Sequence, residues 1–231
     1  MSGWTTLQRA PVKVEEVRVN EANQAARRYT ASMQLTQYAA DSAEMPEVLK
    51  ASFPWQITSS IGIILQAVAG QLGADYEVSG EAIVHRSATV EAGAVLKGPT
   101  IVGPDAFVAA HTYLRDGVFI GEGSTVGTGC EVKSSLIFNH SALAHFDYVG
   151  DSVIGSRVNL EAGAVVANYH NDRPDKGIAC VIDGQKVPTG VEKFGALIGD
   201  DVKIGANAVT SPGTILAPGS VVGRLQLVQQ A

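Results

Sequence analysis

Three basic residues, Lys97, Arg115 and Lys133, recur at intervals of 18 residues in this chain of 231 residues. If the chain forms coils of 18 residues, these side chains stack on one face, with about 4.8 Å between neighbouring strands. Like charges opposite each other on adjacent strands repel, so this ladder predicts a shared anion such as a phosphate group. Three solvated side chains splayed over an exposed face are the simpler alternative.

Histidine is the second residue type that could do chemistry here. Histidine side chains ordinarily titrate near pH 6.5, so a neutral imidazole can accept a proton at neutral pH. A surface or structural histidine is nevertheless more common than a catalytic one, and residue type alone singles out none of them. The five histidines are His85, His111, His140, His145 and His170.

A six-residue repeat predicts the elements that position these side chains. Ten of eleven positions in one register are large and apolar: Val84, Val90, Leu96, Val102, Val108, Leu114, Ile120, Val126, Val132, Phe138 and Ala144. The register slips by a couple of residues near Val149, resumes at Ile154, and returns after an interruption at Ile198. Neither an amphipathic helix nor an alternating strand has this period. The repeat predicts an all-β fold, a parallel β-helix with three short strands per coil.

Two segments lack the repeat. Residues 1–80 contain helical patterns, such as the apolar spacing from Ile57 to Leu72 before Gly73. We predict a mainly helical cap over the open end of a β-helix that spans residues 81–231. Residues 171–192 form an inserted loop, in which Asp183-Gly184 between apolar runs predicts a hairpin. This loop could face the substrate or be a neutral insertion.

Composition excludes several classes of protein. The net charge of −6 argues against general attraction to nucleic acid. Two cysteines, Cys130 and Cys180, make no disulfide framework, and the first residues do not form a secretory signal, so we expect a cytoplasmic protein. The uncharged stretch from Ala51 to Ala74 is interrupted by polar residues, which argues against a membrane span.

More specific motifs lie between Arg115 and Leu216. They are Tyr113-Leu114-Arg115, Glu131-Val132-Lys133, His145-Phe146-Asp147-Tyr148-Val149-Gly150-Asp151, Val158-Asn159-Leu160-Glu161-Ala162-Gly163-Ala164, Asn168-Tyr169, and Lys193-Phe194 before Ile198-Gly199-Asp200-Asp201-Val202. A generic six-residue repeat would not produce His-x-x-Tyr-x-Gly-Asp followed by Asn-Tyr. In these motifs the chain resembles the acetyltransferase half of the bifunctional N-acetylglucosamine-1-phosphate uridyltransferase family. The archaeal-type branch of sugar-phosphate transferases is the most similar.

The resemblance implies a left-handed β-helix, although parallel crossover connections are usually right-handed. It also implies a homotrimer that transfers an acetyl group from acetyl-CoA to the amine of a sugar phosphate similar to glucosamine 1-phosphate, in nucleotide-sugar biosynthesis. The uridyltransferase domain of the family is missing from this sequence, so we expect no nucleotidyl transfer.

The site residues of the family carry over onto matching positions. His145 would be the general base, and Glu131 would orient it. Ala206 and Arg224 replace a serine and a small residue that contact CoA in the family, which puts CoA binding in question. The remaining residues are Arg115, Lys133 and Lys193 for the phosphate, Tyr148 and Asn159 for the sugar, and Asn168 and Tyr169 near the acetyl group and CoA.

Other functions remain open at this level. The fold could transfer an acyl group to a different acceptor, or could sense sugar phosphates or act as a scaffold without catalysis. The spacing of His140 and His145, with His111 as a third ligand, also resembles the zinc-binding β-helical carbonic anhydrases. The arginine, aspartate and glutamine pattern of that family is missing, so the sequence predicts no metal site.

Overall fold

The computed structural model describes residues 34–50 and 52–231. The first 33 residues of the predicted helical extension therefore lie outside the described residues. From Ala82 onward the chain winds into a left-handed parallel β-helix of triangular cross-section, as the resemblance implied.

The β-helix has three faces, each a ladder of short parallel strands. Face 1 contains β4 (Val95–Lys97), the first part of β7 (Tyr113–Ile120) and of β9 (Glu131–Ile137), β11 (Tyr148–Gly150), β14 (Val165–Val166), β19 (Val209–Thr210) and β22 (Leu227–Val228). Face 2 contains β2 (Ala82–His85), β5 (Thr100–Val102), the second part of β7 and of β9, β12 (Val153–Ile154), β17 (Ala196–Ile198) and β20 (Thr214–Leu216), with β1 (Tyr76–Ser79) antiparallel to β2. Face 3 contains β3 (Thr89–Val90), β6 (Phe107–Val108), β8 (Thr125–Val126), β10 (Ala142–Leu143), β13 (Asn159–Leu160), β18 (Lys203–Ile204) and β21 (Val221–Val222).

The repeat fills the interior of the β-helix, because inward side chains stack on their equivalents in the next coil. One correction concerns the register. The inward residues after Val132 are Ile137 and Leu143, and not the predicted Phe138 and Ala144. Strands β7 and β9 show where the register shifts. Arg115 pairs with Lys133, and Val118 pairs with Ser135, so β9 has one residue fewer than β7 between these two pairs. A corner shortened by one residue causes this shift, and it lies earlier than the predicted slip near Val149.

Residues 34–72 pack along face 2. They form two 3₁₀ turns, Leu35–Gln37 and Ala40–Glu44, and three short helices, α1 (Glu47–Lys50), α2 (Pro54–Ser59) and α3 (Ile61–Ala69). Their apolar side chains join one cluster with the outward residues of face 2, from Ile83 through Phe119 to Leu197. The predicted cap over the open end is therefore wrong for this segment, which covers a lateral face of several coils. The reason is that face 2 is apolar on its outer surface as well as inside.

The inserted loop joins the same cluster. Its strands β15 (Ala179–Ile182) and β16 (Gln185–Pro188) pair antiparallel, with Asp183 and Gly184 both at positive φ, which confirms the predicted hairpin. Cys180 and Ile182 are buried among the helices, and Trp55 meets Phe194 edge to face at 6.0 Å between ring centroids. Both cysteines are buried and free.

The uncharged stretch that begins at Ala51 contains α2 and α3, which are only 6 and 9 residues long. Within residues 34–50 and 52–231, no helix has the length and apolarity needed to cross a bilayer.

Candidate functional site

The outer surface of face 1 carries two columns of polar residues. Parallel pairing aligns Lys97 with Arg115 and Arg115 with Lys133, so the predicted basic ladder exists. The second column aligns Glu131 with Tyr148 on the next strand. The strands of one face thus place most of the predicted acceptor residues side by side.

The charges of the ladder are paired within the chain. Lys133 Nζ donates to both carboxylate oxygens of Asp151, at 3.0 and 2.9 Å. The guanidinium of Arg115 binds Glu131 through Nε at 2.7 Å and Asp116 through Nη1 at 2.8 Å. The inference that mutual repulsion requires a shared anion is therefore wrong, because carboxylates from the same chain already neutralise two of its cations.

Asp151 is the centre of a buried hydrogen-bond network. Its side chain is 8% exposed and that of Lys133 12%. Asn168 donates from Nδ2 to Asp151, and Tyr148 donates its phenolic proton to Asn168 Oδ1 at 3.2 Å. Burial, together with the charges of Asp151 and Glu131, raises the pKa of Tyr148, so the phenol stays protonated. The structure therefore brings Lys133, Tyr148 and Asn168 together through a residue that the sequence analysis did not assign to the site.

His145 lies at the corner between face 3 and face 1, with an exposed side chain. Its backbone oxygen accepts the N–H of Gly163 in the next coil, at 2.8 Å. The next residue, Phe146, has φ 57° and a side chain that is 70% exposed. Within the described residues the side chain of Glu131 accepts a hydrogen bond from Arg115 and makes none with His145, so the orienting role of Glu131 remains a prediction.

The three histidines of the zinc alternative occupy separate places. His140 lies at the corner between face 2 and face 3, on the opposite edge of face 3 from His145. His111 lies at the same corner as His145 but two coils earlier. Among residues 34–50 and 52–231, no group of His, Cys, Asp or Glu has the arrangement of a metal site.

The remaining predicted residues are spread around the corner of His145. Asn159 projects from face 3, paired with Ala142 and Lys203, so a single chain does not bring it next to Tyr148. The N–H of Ala206 donates to Glu161 Oε2 at 2.9 Å, and Arg224 binds the same carboxylate in bidentate fashion at 2.7 and 2.8 Å. The predicted CoA position of Arg224 is thus engaged in an exposed ion pair.

The inserted loop follows Asn168 and Tyr169 at the end of a face 1 strand, β14. Tyr169 is 38% exposed, and Lys176 Nζ lies 5.1 Å from the centroid of its ring. Lys193 and Lys97 are exposed, and no ion pair or hydrogen bond of either side chain occurs within the part of the chain that the structure describes. These two are the cations of the predicted set that remain free to meet an anion.

Two functional candidates escaped the sequence analysis. Asp151 follows Lys133 by 18 residues, so the coil length could have revealed that a carboxylate lies next to the ammonium. Asp147 is buried inside the β-helix, 2% exposed, in the column of Thr112 and Cys130, where a coil of 18 residues would place Tyr148. The repeat gave no signal for it, because the corner shortened by one residue at Ser134 brings Asp147 into this column.

Comparison with known proteins gives a family match for residues 96–221, to the family model described as the GMPPB C-terminal domain. A Methanococcus vannielii protein called "Bifunctional protein GlmU" is 33% identical over 181 residues, 77% of this chain and 43% of that protein. A Sulfurisphaera tokodaii protein called "Bifunctional sugar-1-phosphate nucleotidylyltransferase/acetyltransferase" is 30% identical over 182 residues, 74% of this chain and 45% of that protein. The chain therefore spans less than half the length of these relatives. The matched residues 96–221 include the whole of the network around Asp151 and the corner of His145.

Proposed function

The chain belongs to the family of the GMPPB C-terminal domain, and we propose that it is an acetyl-CoA-dependent N-acetyltransferase that acts on an amino-sugar 1-phosphate similar to glucosamine 1-phosphate. The observation that carries the proposal is the network of Lys133, Asp151, Asn168 and Tyr148 on face 1, where Tyr148 and Asp151 lie on the coil that also carries the exposed His145. A structural coil needs none of these polar contacts on its outer surface. The names of the two bifunctional relatives support the same reaction.

The mechanism requires one base and a polar acceptor site. The neutral amine of the hexosamine attacks the thioester carbonyl of acetyl-CoA, and His145 takes the proton that the amine loses. The negative charge that develops on the carbonyl oxygen is stabilised by backbone N–H groups. The thiolate of CoA then leaves, and the acetyl group forms an amide with the sugar.

The charge distribution suggests how the acceptor is held. Lys193 and Lys97 are the free cations among the described residues, and the family resemblance places Lys193 at the phosphate, so we assign the phosphate to Lys193 first. Arg115 and Lys133 reach the phosphate only where it displaces a carboxylate from Glu131 or Asp151. Tyr148 presents its hydroxyl toward the sugar, and Asn168 with Tyr169 borders the acetyl group and CoA.

We further propose a cytoplasmic homotrimer with the site in the groove between neighbouring subunits. The separation of Asn159 on face 3 from Tyr148 on face 1 supports this, because a facing subunit would bring the two faces together. Face 2 is covered by the chain's own helices, which leaves faces 1 and 3 for contact. Nucleotidyl transfer is not part of the proposal, because the matched region covers less than half of the bifunctional relatives.

A second function, binding of sugar phosphates without catalysis, is favoured by one observation. Arg224 and Glu161 form a bidentate ion pair at the position that the family resemblance assigns to CoA contacts. If this pair blocks acetyl-CoA, the network on face 1 would still bind the sugar phosphate.

The test is release of free thiol from acetyl-CoA, followed with glucosamine 1-phosphate, galactosamine 1-phosphate and free glucosamine. We expect turnover with a hexosamine 1-phosphate and much slower turnover with the free sugar. Saturable binding of the sugar phosphate by calorimetry with no thiol release would support the second function. Light scattering should give the mass of a trimer, and a monomer at micromolar concentration would overturn the groove between subunits.

A further inference from the structure

A carboxyl group lies inside the β-helix directly beneath the corner that carries His145. Asp147 occupies an inward position of the repeat, in a column that also contains Thr112, Cys130, Ala164 and Ala208. All five side chains are buried, and Asp147 is the one carboxylate among them. A charged side chain is costly at such a position unless hydrogen bonds compensate for the lost water.

The contacts of Asp147 join three consecutive coils. Oδ1 accepts the backbone N–H of Ala164 at 2.8 Å, and Oδ2 lies 3.9 Å from Cys130 Sγ. The neighbouring N–H, that of Gly163, donates to the backbone oxygen of His145 at 2.8 Å. The Gly163–Ala164 dipeptide of the next coil is therefore bound by the backbone oxygen of His145 and the side chain of Asp147, and its Ala164 oxygen accepts the N–H of Tyr148 at 3.0 Å.

The protonation state of Asp147 supports a role beyond packing. Burial raises its pKa to about 7, against the lowering effect of backbone N–H groups at Ala164, Ala144 and Gly163. Burial also raises the pKa of Cys130 to about 11, so the thiol remains neutral. Cys130 is the titratable side chain that faces Asp147 from the preceding coil, and the facing residue of the next coil, Ala164, is not titratable.

We propose that Asp147 is a positioning residue, whose buried carboxyl group fixes the corner that presents His145 to the reacting amine. The role rests on the proposed function of His145 as the general base. Removal of the carboxyl group leaves the N–H of Ala164 with only the longer bond of 3.3 Å to the backbone oxygen of Glu161, and the corner loses the side-chain attachment that supplements its backbone bonds to the next coil. A displacement of about 1 Å at a catalytic group can lower the rate by about 10²-fold.

Two substitutions and one control separate positioning from general stability. Asp147→Asn keeps an oxygen acceptor for Ala164 and adds an NH₂ group toward Cys130, but it cannot ionise. Asp147→Ala removes both contacts. Thr112→Ala is the matched control, because Thr112 is buried in the same column, two coils before Asp147. Its hydroxyl also makes a hydrogen bond, to the backbone oxygen of Gly127 at 3.1 Å.

The kinetic measurement is kcat and KM for acetyl transfer in each variant. We expect Asp147→Ala to lower kcat by about 10- to 100-fold with both KM values changed less than about threefold. Asp147→Asn should restore kcat to within about threefold of the wild type, because the amide oxygen still accepts the N–H of Ala164. Equal losses of kcat in Asp147→Ala and Thr112→Ala would overturn the proposal, because the role would then be structural only.

A second measurement does not depend on turnover. The imidazole resonances of His145 in labelled protein, assigned with His145→Gln, should shift or broaden in Asp147→Ala and remain in place in Thr112→Ala. Unchanged His145 resonances in Asp147→Ala would overturn the proposal. If the wild type transfers no acetyl group, the proposed function fails, and the resonances still decide whether Asp147 fixes the corner.

Discussion

The pair of Lys133 and Asp151 gives the sharpest test of how the site is built. Both side chains are almost fully buried, and the two atoms of the carboxylate lie 2.9 and 3.0 Å from Nζ. Removing one partner of a buried ion pair typically costs about 3–5 kcal/mol, because an uncompensated charge remains. Asp151 keeps its bond from Asn168, so we expect Lys133→Met to lower the free energy of unfolding by about 3 kcal/mol.

The assay is reversible unfolding in denaturant for Lys133→Met, Asp151→Asn and the double variant. In a domain of this size, a loss of about 3 kcal/mol lowers Tm by about 6–12 °C. The double variant removes both charges, so it should be more stable than the sum of the single losses predicts, with a coupling of at least about 1.5 kcal/mol. Single losses below about 0.5 kcal/mol without coupling would refute the reasoning, since that is how a solvent-screened surface pair behaves.

The same variants decide what Lys133 does for the acceptor. Because Asp151 already neutralises the ammonium, we expect Lys133→Met to change the KM for a hexosamine 1-phosphate less than about fivefold, a loss under about 1 kcal/mol. An increase in this KM of tenfold or more would show that Lys133 contacts the phosphate directly, as the sequence alone predicts. Asp151→Asn would then lower the KM, since it frees the ammonium.

Three further predictions concern the corner and its surroundings. His145→Ala should lower kcat by about 10²–10⁴-fold with the oligomer intact, whereas His140→Ala, at the opposite edge of face 3, should be far milder in the same thiol-release assay. Gly127→Ala should unfold or strongly destabilise the protein in thermal melts, because its Cβ would lie 1.5 Å from a backbone oxygen of the next coil; Gly62→Ala, with nothing within 4 Å, should be neutral or slightly stabilising. Since the pKa of Asp147 is about 7 in the folded state and 3.8 in its reference state, the stability that its protonated form provides is lost as pH rises from about 4 through 7. Between pH 5 and pH 8, the free energy of unfolding measured in denaturant should fall less in Asp147→Asn than in the wild type. Equal decreases in the two proteins would contradict the raised pKa of Asp147.

The amino-acid sequence by itself determined the β-helix and the columns on its faces. A repeat of six residues has one structural solution in which every apolar side chain stacks on its equivalent, so the coil length and the alignment of Arg115 with Lys133 follow from spacing. The hairpin at Asp183-Gly184 was equally predictable, because its turn is encoded by two adjacent residues. The family motifs then indicated His145 and Tyr148.

Only the tertiary structure decided which charges meet. The spacing of 18 residues places Asp151 near Lys133, but the corner shortened by one residue at Ser134 pairs Lys133 with Gly150, so only the structure shows that the ammonium meets the carboxylate of Asp151. Covering face 2 with residues 34–72 depends on the outward residues of strands far apart in the sequence, whose apolar character is evident only once they form one surface. The burial of Asp147 also depends on the tertiary structure, because the shortened corner places Asp147, and not Tyr148, in the inward column of Thr112 and Cys130. Local spacing fixes the repeat, whereas contacts between coils determine the electrostatics of the site.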